Sequence, residues 1–551
     1  MTFTRQILTA AALALGVMTS APAYQTAADQ ADLSVVKEEL RQDDTARSRS
    51  RAVAGIGRPQ AGGTAITGNI VVGAIRVEGA SALPPQAFAP VIERYVGQTL
   101  SADDLSSLAA SIADVARSAG FGLATAWVPQ QRIASGVLRV VLNEGRIDEI
   151  DVTGSGAEAV RPYLASFAGG RAVSTAALER QLVLADDLPG IRMGKARLQR
   201  RGDRNVLVVQ AVRDRLSGSA SIDNWGSSGI GPVRARLTAE ISGLFSEDDS
   251  LTIGGIVTPL EPKEFALARV AYTKIVGSGG TEVTVGGYLA RSQPGGVLAD
   301  LDIDGKSSEL ELGVRHPFVR TRASSLWGSI DFRLRDSSQT RSDVLIRDDR
   351  LATLTAGALA VHRTRNGRAR ARFSLVQGLD IFDSTREGDP LASRADSGAV
   401  FTKAEFGAEF EQQLGRGLSF IAQGEGQVAN GPLLSSEEMG LGGRYFGRAW
   451  DYREFSGDKG IAGSAELRFD LNALARPFSG SQLYTYLDGG SVSNYENGFG
   501  GGSLASAGGG VRAWFGSGIE ASLEAGFPLT DGADADEDPK PRLSFTLGTR
   551  F

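Results

Sequence analysis

Cysteine is missing from all 551 residues, and histidine occurs only twice. The first absence removes thiolate nucleophiles, structural disulfides and thiolate metal sites together. The two histidines leave little for a nucleophile–base pair: His316 lies in an HPF triplet at an expected turn, and His362 sits beside Arg363 in a strand pattern, so both read as structural. Beyond the N-terminal region there is no apolar run long enough to cross a bilayer as a helix. Charge is also modest: 58 Lys and Arg against 64 Asp and Glu give a net −6, no basis for binding nucleic acid.

Glycine is abundant, at 70 residues, and the apolar residues alternate. In the final segment, Pro541 to Phe551, the odd positions carry Leu543, Phe545, Leu547, Thr549 and Phe551, and the even ones Ser544, Thr546, Gly548 and Arg550. Successive strand side chains point to opposite faces, so one face is apolar and the other hydrophilic. A wall strand of a membrane barrel needs this pattern, with Phe545, Leu547 and Phe551 as its C-terminal signal; an amphipathic strand closing a soluble β-domain also fits the segment taken alone. A mean hydropathy of −0.09 suits a barrel, because alternating strands dilute apolar content.

The N-terminus predicts export. Arg5 precedes an apolar run from Ile7 to Val17, and Ala21-Pro22-Ala23 supplies a signal-peptidase pattern, which assigns residues 1–23 to a signal peptide. Residues 24–68 follow as an N-terminal helix and linker: Leu33, Val36 and Leu40 recur at helical spacing within Ala31 to Arg41, and Asp43 to Gly68 reads as linker with a solvated Arg47, Arg49, Arg51 cluster.

Residues 69–213 hold a repeat of β-α-α-β-β order, one copy at 69–145 and the second at 146–213. The first runs from the strand Ile70 to Val77 through Gly79, helices near Pro85 to Tyr95 and Ala102 to Ala119, and strands Leu123 to Val128 and Val137 to Asn143. The second runs from Ile147 to Val152 through Gly154, helices near Ala159 to Phe167 and Thr175 to Asp186, and strands near Arg192 to Gln199 and Asn205 to Val212. From 214 to 551 only strands remain, about sixteen, with short connections such as Thr364 to Gly367 alternating with long ones at Ser337 to Arg350, Asp380 to Ala399, Ala429 to Gly460 and Thr530 to Lys540. Short turns opposite long loops, and an even strand count, are features of outer-membrane barrels. In Ile461 to Leu471 the odd face carries Ile461, Leu467 and Phe469 and the even face Ser464, Glu466 and Arg468; Ile519 to Phe527 sets Leu523 against Glu520 and Glu524 in the same way.

The longest loop contains LGGRYFGRAWDYREFSGDKG, residues 441–460. No strand-turn-helix unit surrounds its glycines, so it is not a nucleotide loop, and Gly154-Ser155-Gly156 reads as a turn. In the strand Gln482 to Gly490, Tyr484, Tyr486 and Asp488 face the lumen if Leu483 and Leu487 meet lipid. A loop folded into the barrel would bring Arg448 onto Asp488 as a bidentate pair; an exposed arginine and an unrelated lumen aspartate fit the residues equally well.

These residues together resemble the outer-membrane transporters of two-partner secretion, the TpsB branch of the POTRA-barrel superfamily, of haemolysin and filamentous-haemagglutinin secretion-activation type. The likeness rests on GLATAWVPQQRIASGVLRVVLNEGRI in the first repeat, Asp223-Asn224-Trp225-Gly226 in the first barrel strand, SLASAGGGVRAWF near the end, and the terminal Phe551. It implies a mainly β fold: a 16-stranded antiparallel transmembrane β-barrel preceded by two α+β POTRA domains. It implies a translocation pore in the outer membrane, POTRA domains in the periplasm, that captures a large unfolded partner exoprotein and threads it outward without cofactor, small-molecule substrate or enzymatic step. Outer-membrane lipid and, during biogenesis, the barrel assembly machinery are the other implied partners.

The family's loop signature, VRGY or VRGF, falls on Gly447, Arg448, Ala449 and Trp450, with Gly457 and Asp458 just downstream. Only the arginine is identical, so the resemblance assigns the loop-anchoring role to Arg448 with Asp488 as its strand acid, while Ala449 in place of glycine leaves the local backbone shape open. It also implies that the helix Ala31 to Arg41 plugs the pore. An outer-membrane assembly factor of the same superfamily is the alternative, but there more than two POTRA units are expected; a plain porin has no use for the periplasmic repeat.

Overall fold

The computed structural model describes residues 69–551 except 134–135, 203, 472–477, 496–499, 517 and 534–538. The expected signal peptide, N-terminal helix and linker lie outside the described residues.

In the first repeat the strand Val137–Asn143 lies between Ala74–Glu78, parallel to it, and Thr125–Trp127, antiparallel. The helix Ala102–Ser118 begins at a capping box, in which the Ser101 hydroxyl accepts from the Asp104 amide at 3.3 Å and the Asp104 carboxylate accepts from the Ser101 amide at 2.9 Å. Its Leu105, Leu108, Ile112 and Ala116 form one buried stripe against Leu138, Val140 and Leu142 of the sheet.

The second repeat has the same plan: Arg204–Arg213 runs parallel to Glu149–Thr153 and antiparallel to Ile191–Met193 and Arg197–Arg201. The likeness extends to one glycine in each copy. Gly79 (φ +90°) and Gly154 (φ +99°) end the first strand, and a Cβ on either would lie 2.2 Å from a carbonyl oxygen of the parallel strand, that of Leu142 or Ala211. Two strands are more broken than their sequence pattern: Ile70–Val71 separates from Ala74–Glu78 to pair with Thr99–Leu100, and the expected Arg192 to Gln199 strand divides at Gly194.

The repeats are joined by the Gly122 amide donating to Thr175 Oγ1 at 2.6 Å and the Thr175 amide to the Gly120 carbonyl at 3.0 Å. The second repeat then docks on short barrel turns. Arg320 grips Asp187 through Nε (2.6 Å) and Nη2 (2.5 Å), Arg180 donates to the Pro317 carbonyl at 2.8 Å, and Ile275 of the barrel enters the core of the repeat. This contact sets the short turns on the side of the repeats and the long loops at the far end.

The sixteen strands follow one another in chain order and close into a barrel. At the seam Ser219–Asp223 of the first strand, Leu216–Asp223, pairs with Thr546–Arg550 of the last, Arg542–Arg550. Gly218 and Phe551 prolong the ladder by exchanging backbone hydrogen bonds of 2.9 and 3.1 Å. Leu310, Leu312, Phe406, Leu467, Phe469, Leu523, Phe527, Phe545, Leu547 and Phe551 are all exposed on the outer face, whereas the intervening Glu309, Glu466, Glu524 and Ser544 are buried within. So extensive an apolar belt on a closed wall is solvated by lipid. Among the described residues no helix is long and apolar enough to cross a membrane.

Two expectations are corrected. Ser337 to Arg350 is not a long loop: the strands Ser324–Arg341 and Val344–Arg363 continue past the membrane and meet in a two-residue turn at Ser342 (φ 47°) and Asp343 (φ 63°). Short polar residues tolerate this left-handed turn, so polarity there marked strand continuing into water rather than a loop. His316 is not at a turn but inside the strand Ile303–Arg320, where its Nδ1 lies 2.8 Å from Thr281 Oγ1; His362 Nδ1 is 2.9 Å from Ser324 Oγ.

Candidate functional site

The loop after the strand Leu418–Ala429 turns inward. Its limbs Met439–Leu441 and Phe455–Gly457 pair antiparallel, making a hairpin inside the barrel. An apolar face of Met439, Leu441, Phe446, Trp450 and Phe455 packs on Ala462, Val492 and Leu504 of the wall, which removes those side chains from the watery lumen. At the tip Gly447 takes a left-handed φ of +78°, and the Trp450 amide donates back to its carbonyl at 2.9 Å.

This turn aims Arg448 at the wall formed by Lys459–Leu471, Phe478–Ser493, Gly502–Phe515 and Ile519–Pro528. The expected bidentate pair with Asp488 is replaced by a divided arrangement. Nη1 donates to Glu466 (3.0 Å) and Glu524 (3.4 Å), Nη2 to Ser464 (3.4 Å), while Nε lies 3.2 Å from Asp488 Oδ2 without hydrogen-bond alignment. Asp488 instead holds the backbone: its Oδ1 accepts from the amides of Gly447 (3.0 Å) and Arg448 (3.4 Å) and from the Ser506 hydroxyl. The carboxylate fixes the position of the tip and the guanidinium joins three strands. Arg512 and Arg468, 2.9 and 2.5 Å from Glu466 Oε1, bring the cluster to three cations and three carboxylates, so its buried charges are compensated.

Beneath the guanidinium lies the ring of Tyr486, and beneath Arg512 that of Tyr484, at 4.0 and 3.8 Å from the ring centroids. These rings lie flat because the neighbouring strands carry glycine: a Cβ on Gly508 would come within 2.5 Å of Tyr486 Oη, and one on Gly510 within 2.7 Å of Tyr484 Oη. The SAGGG run of the sequence is therefore the floor of the site. The φ of Ala449 is not positive, since Gly447 makes the turn, and Ala449 rests over Gly526, where a Cβ would lie 3.3 Å from the Ala449 Cα. Trp450 is buried in the hairpin's apolar face, and Asp458 is buried at its root.

The tip also reaches the seam. Asp451 Oδ1 accepts from Arg542 Nη1 of the last strand at 3.0 Å and its Oδ2 from the Ser228 amide beyond the first strand at 3.0 Å. Arg542 donates in turn to the Trp450 carbonyl (2.5 Å) and to those of Asn224 (3.2 Å) and Gly226 (3.0 Å). The Asn224 carboxamide copies a peptide group, donating to Leu543 O at 2.8 Å and accepting from the Phe545 amide at 2.7 Å, and so lengthens the seam ladder.

Sequence patterns placed Glu466 and Glu524 on the polar face but did not connect them to Arg448; the signal lay in carboxylates recurring on that face across strands flanking YLDGG. Beside the hairpin a cavity of about 940 Å³ extends from Asp187 and Ile191 of the second repeat to Glu437 and Tyr445. Among the described residues no group of three or more His, Asp or Glu is placed to hold a metal ion.

A sixteen-stranded barrel carrying α+β units at the mouth of its short turns and a loop hairpin seated in its lumen has the architecture of an outer-membrane POTRA-barrel protein. The chain belongs to the haemolysin secretion/activation protein family ShlB/FhaC/HecB, whose model matches residues 202–513, and the ShlB-type POTRA domain model matches residues 70–145. It is similar to the heme/hemopexin transporter protein HuxB of Haemophilus influenzae, 24% identical over 72% of this chain and 71% of that protein. It is also similar to the outer membrane transporter CdiB of Escherichia coli O6:K15:H31, 23% identical over 92% of this chain and 87% of that protein. The solved CdiB from Escherichia coli shares the fold, with a TM-score of 0.72 at 18% identity over 96% of this chain and all of that one. The protein is thus an outer-membrane transporter of two-partner secretion, and the family match decides for secretion of a partner exoprotein over barrel assembly.

Proposed function

We propose that the two repeats, the second read as a POTRA domain like the first, capture an unfolded exoprotein in the periplasm and deliver it to a lumen whose free cross-section is governed by the Arg448 hairpin. The observation that carries this reading is the seat itself: a hairpin folded back into a closed barrel and held by one buried arginine shared among three strands.

Capture has a physical basis in the repeats. Ala74–Glu78 and Arg197–Arg201 each pair on one side only among the described residues. An extended client can add to such an edge through main-chain hydrogen bonds, which give affinity without strict sequence selectivity. No catalytic group takes part; a client that folds outside cannot slide back, and this supplies direction. Lipid and the barrel assembly machinery act only on the barrel wall and its C-terminal strand.

The test is Arg448→Ala, with client measured in the medium beside transporter in the outer membrane. Secretion falls while the membrane level holds; equal secretion at equal transporter level refutes the role.

A further inference from the structure

The loop between the strands Gly367–Leu379 and Thr402–Gly415 sends a largely buried arginine into the root of the hairpin. Arg394 Nη1 donates to Asp458 (2.8 Å), Glu438 (3.0 Å) and Asn494 (3.3 Å), and Nη2 to Asp396 (3.0 Å) and the Tyr495 carbonyl (3.4 Å). Glu438 stands immediately before the limb Met439–Leu441 and Asp458 immediately after the limb Phe455–Gly457. One guanidinium therefore clamps both limbs where they leave the wall.

The acids it holds are committed to this place. Asp458 is fully buried and accepts from the amides of Leu433 and Tyr495, both at 2.8 Å. Glu438 also takes Ser456 Oγ at 2.7 Å and Arg453 Nη2 at 3.3 Å. Arg394 thus ties together three outward-facing segments: its own loop, the hairpin root and the stretch around Asn494. Arg448 holds the tip of the same hairpin, in a separate set of carboxylates.

We propose that Arg394 is a second, exterior latch of the hairpin, a positioning residue that makes the loop 380–401 part of the gate. The proposal rests on the reading of the hairpin as the element that governs the lumen. A two-stranded stem held at both ends does not leave when one end is freed, because the remaining latch keeps it at high local concentration over its seat. Either latch alone therefore keeps the pore mostly closed. Lysine is a poor substitute at position 394, since a single ammonium cannot reproduce the planar fork that serves Asp396, Glu438 and Asp458 together.

The experiment uses the purified full-length protein without client, so its outcome is separate from whether secretion itself runs as proposed. Channel openings in planar bilayers are recorded for wild type, Arg394→Gln, Arg448→Gln and the double variant. In parallel, a nitroxide is placed on Arg444→Cys, an exposed tip position in a chain with no other cysteine. Each single variant raises opening frequency about tenfold, and the double raises it more than the product of the two, as charged hydrogen bonds of this strength require when they hold one element. Label mobility follows the same order, and Arg394→Lys falls between wild type and Arg394→Gln. Openings and spectra unchanged by Arg394→Gln in both the native and the Arg448→Gln backgrounds overturn the proposal. Should Arg394→Gln not insert, Glu438→Gln is measured in its place with the same two outcomes.

Discussion

The guanidinium of Arg448 lies 4.0 Å above the centre of the Tyr486 ring. Three carboxylates surround its edge while an aromatic face supports its plane, so the seat selects for a flat, delocalised cation. Arg448→Lys keeps the charge and loses that fit. Removing the fork from a buried cluster of this kind costs about 3–5 kcal/mol when a partner is left unpaired. A lysine that retains one carboxylate loses less, so client in the medium is expected to fall several-fold for Lys and further for Ala. Secretion by Arg448→Lys equal to wild type at equal membrane level argues that only charge matters.

The glycine floor gives a second prediction. Gly508→Val drives a side chain into Tyr486 and into the Ala525 carbonyl, which a Cβ would approach to 2.3 Å, and so tilts the ring from beneath Arg448. Overpacking of this kind costs about 1–3 kcal/mol. Channel openings become more frequent and secretion falls, whereas Gly463→Ala on a nearby strand, whose Cβ meets nothing closer than 3.5 Å, leaves both unchanged. Matching behaviour of the two variants speaks against the floor.

The tip and the seam share Asp451 and Arg542. Asp451→Asn weakens the link from the tip to the last strand, and the temperature at which the folded band disappears on unboiled gels is expected to drop by several degrees. Arg542→Gln lowers it further, because Arg542 also holds the carbonyls of Asn224 and Gly226. An unshifted transition in both variants separates the hairpin from barrel closure.

In the first POTRA domain burial works to raise the Glu144 carboxyl, but hydrogen bonds from the Ser81 hydroxyl and amide and from the amides of Ala82 and Leu83 outweigh it and hold it below the ordinary carboxylate range. A depressed folded value contributes stability above the unfolded value of about 4.3, and that contribution is lost as pH falls through the folded value. Relative to its intrinsic rate, which itself slows as pH falls, exchange of the Ala82 and Leu83 amides therefore accelerates on acidification below that range. At neutral pH, Glu144→Gln accelerates it about tenfold, as loss of a charged acceptor implies. Protection at Ala82 and Leu83 that is indifferent to both changes excludes Glu144 as their anchor.

The wall was legible because its rule is local. A strand in lipid must alternate, so Leu467 and Phe469 against Glu466 and Arg468 fixed both the strand and the way each side chain faces, before any partner was known. The repeat was legible for a related reason, since Gly79 and Gly154 punctuate equivalent places. The hairpin at Ser342–Asp343 was not legible, because beyond the membrane no alternation is required and polar strand and polar loop look alike.

Alternation, the spacing of turns and the repeat pointed to about sixteen barrel strands behind two α+β units, and the resemblance to the family singled out Arg448 in the loop. Which carboxylates receive it was decided only when strands distant in sequence came side by side: Glu466, Asp488 and Glu524 meet through barrel closure, and Arg394 reaches Glu438 and Asp458 through the packing of separate loops. Periodicity reports which way a side chain points, whereas a buried charge needs partners in register across strands, and register is a property of the closed sheet.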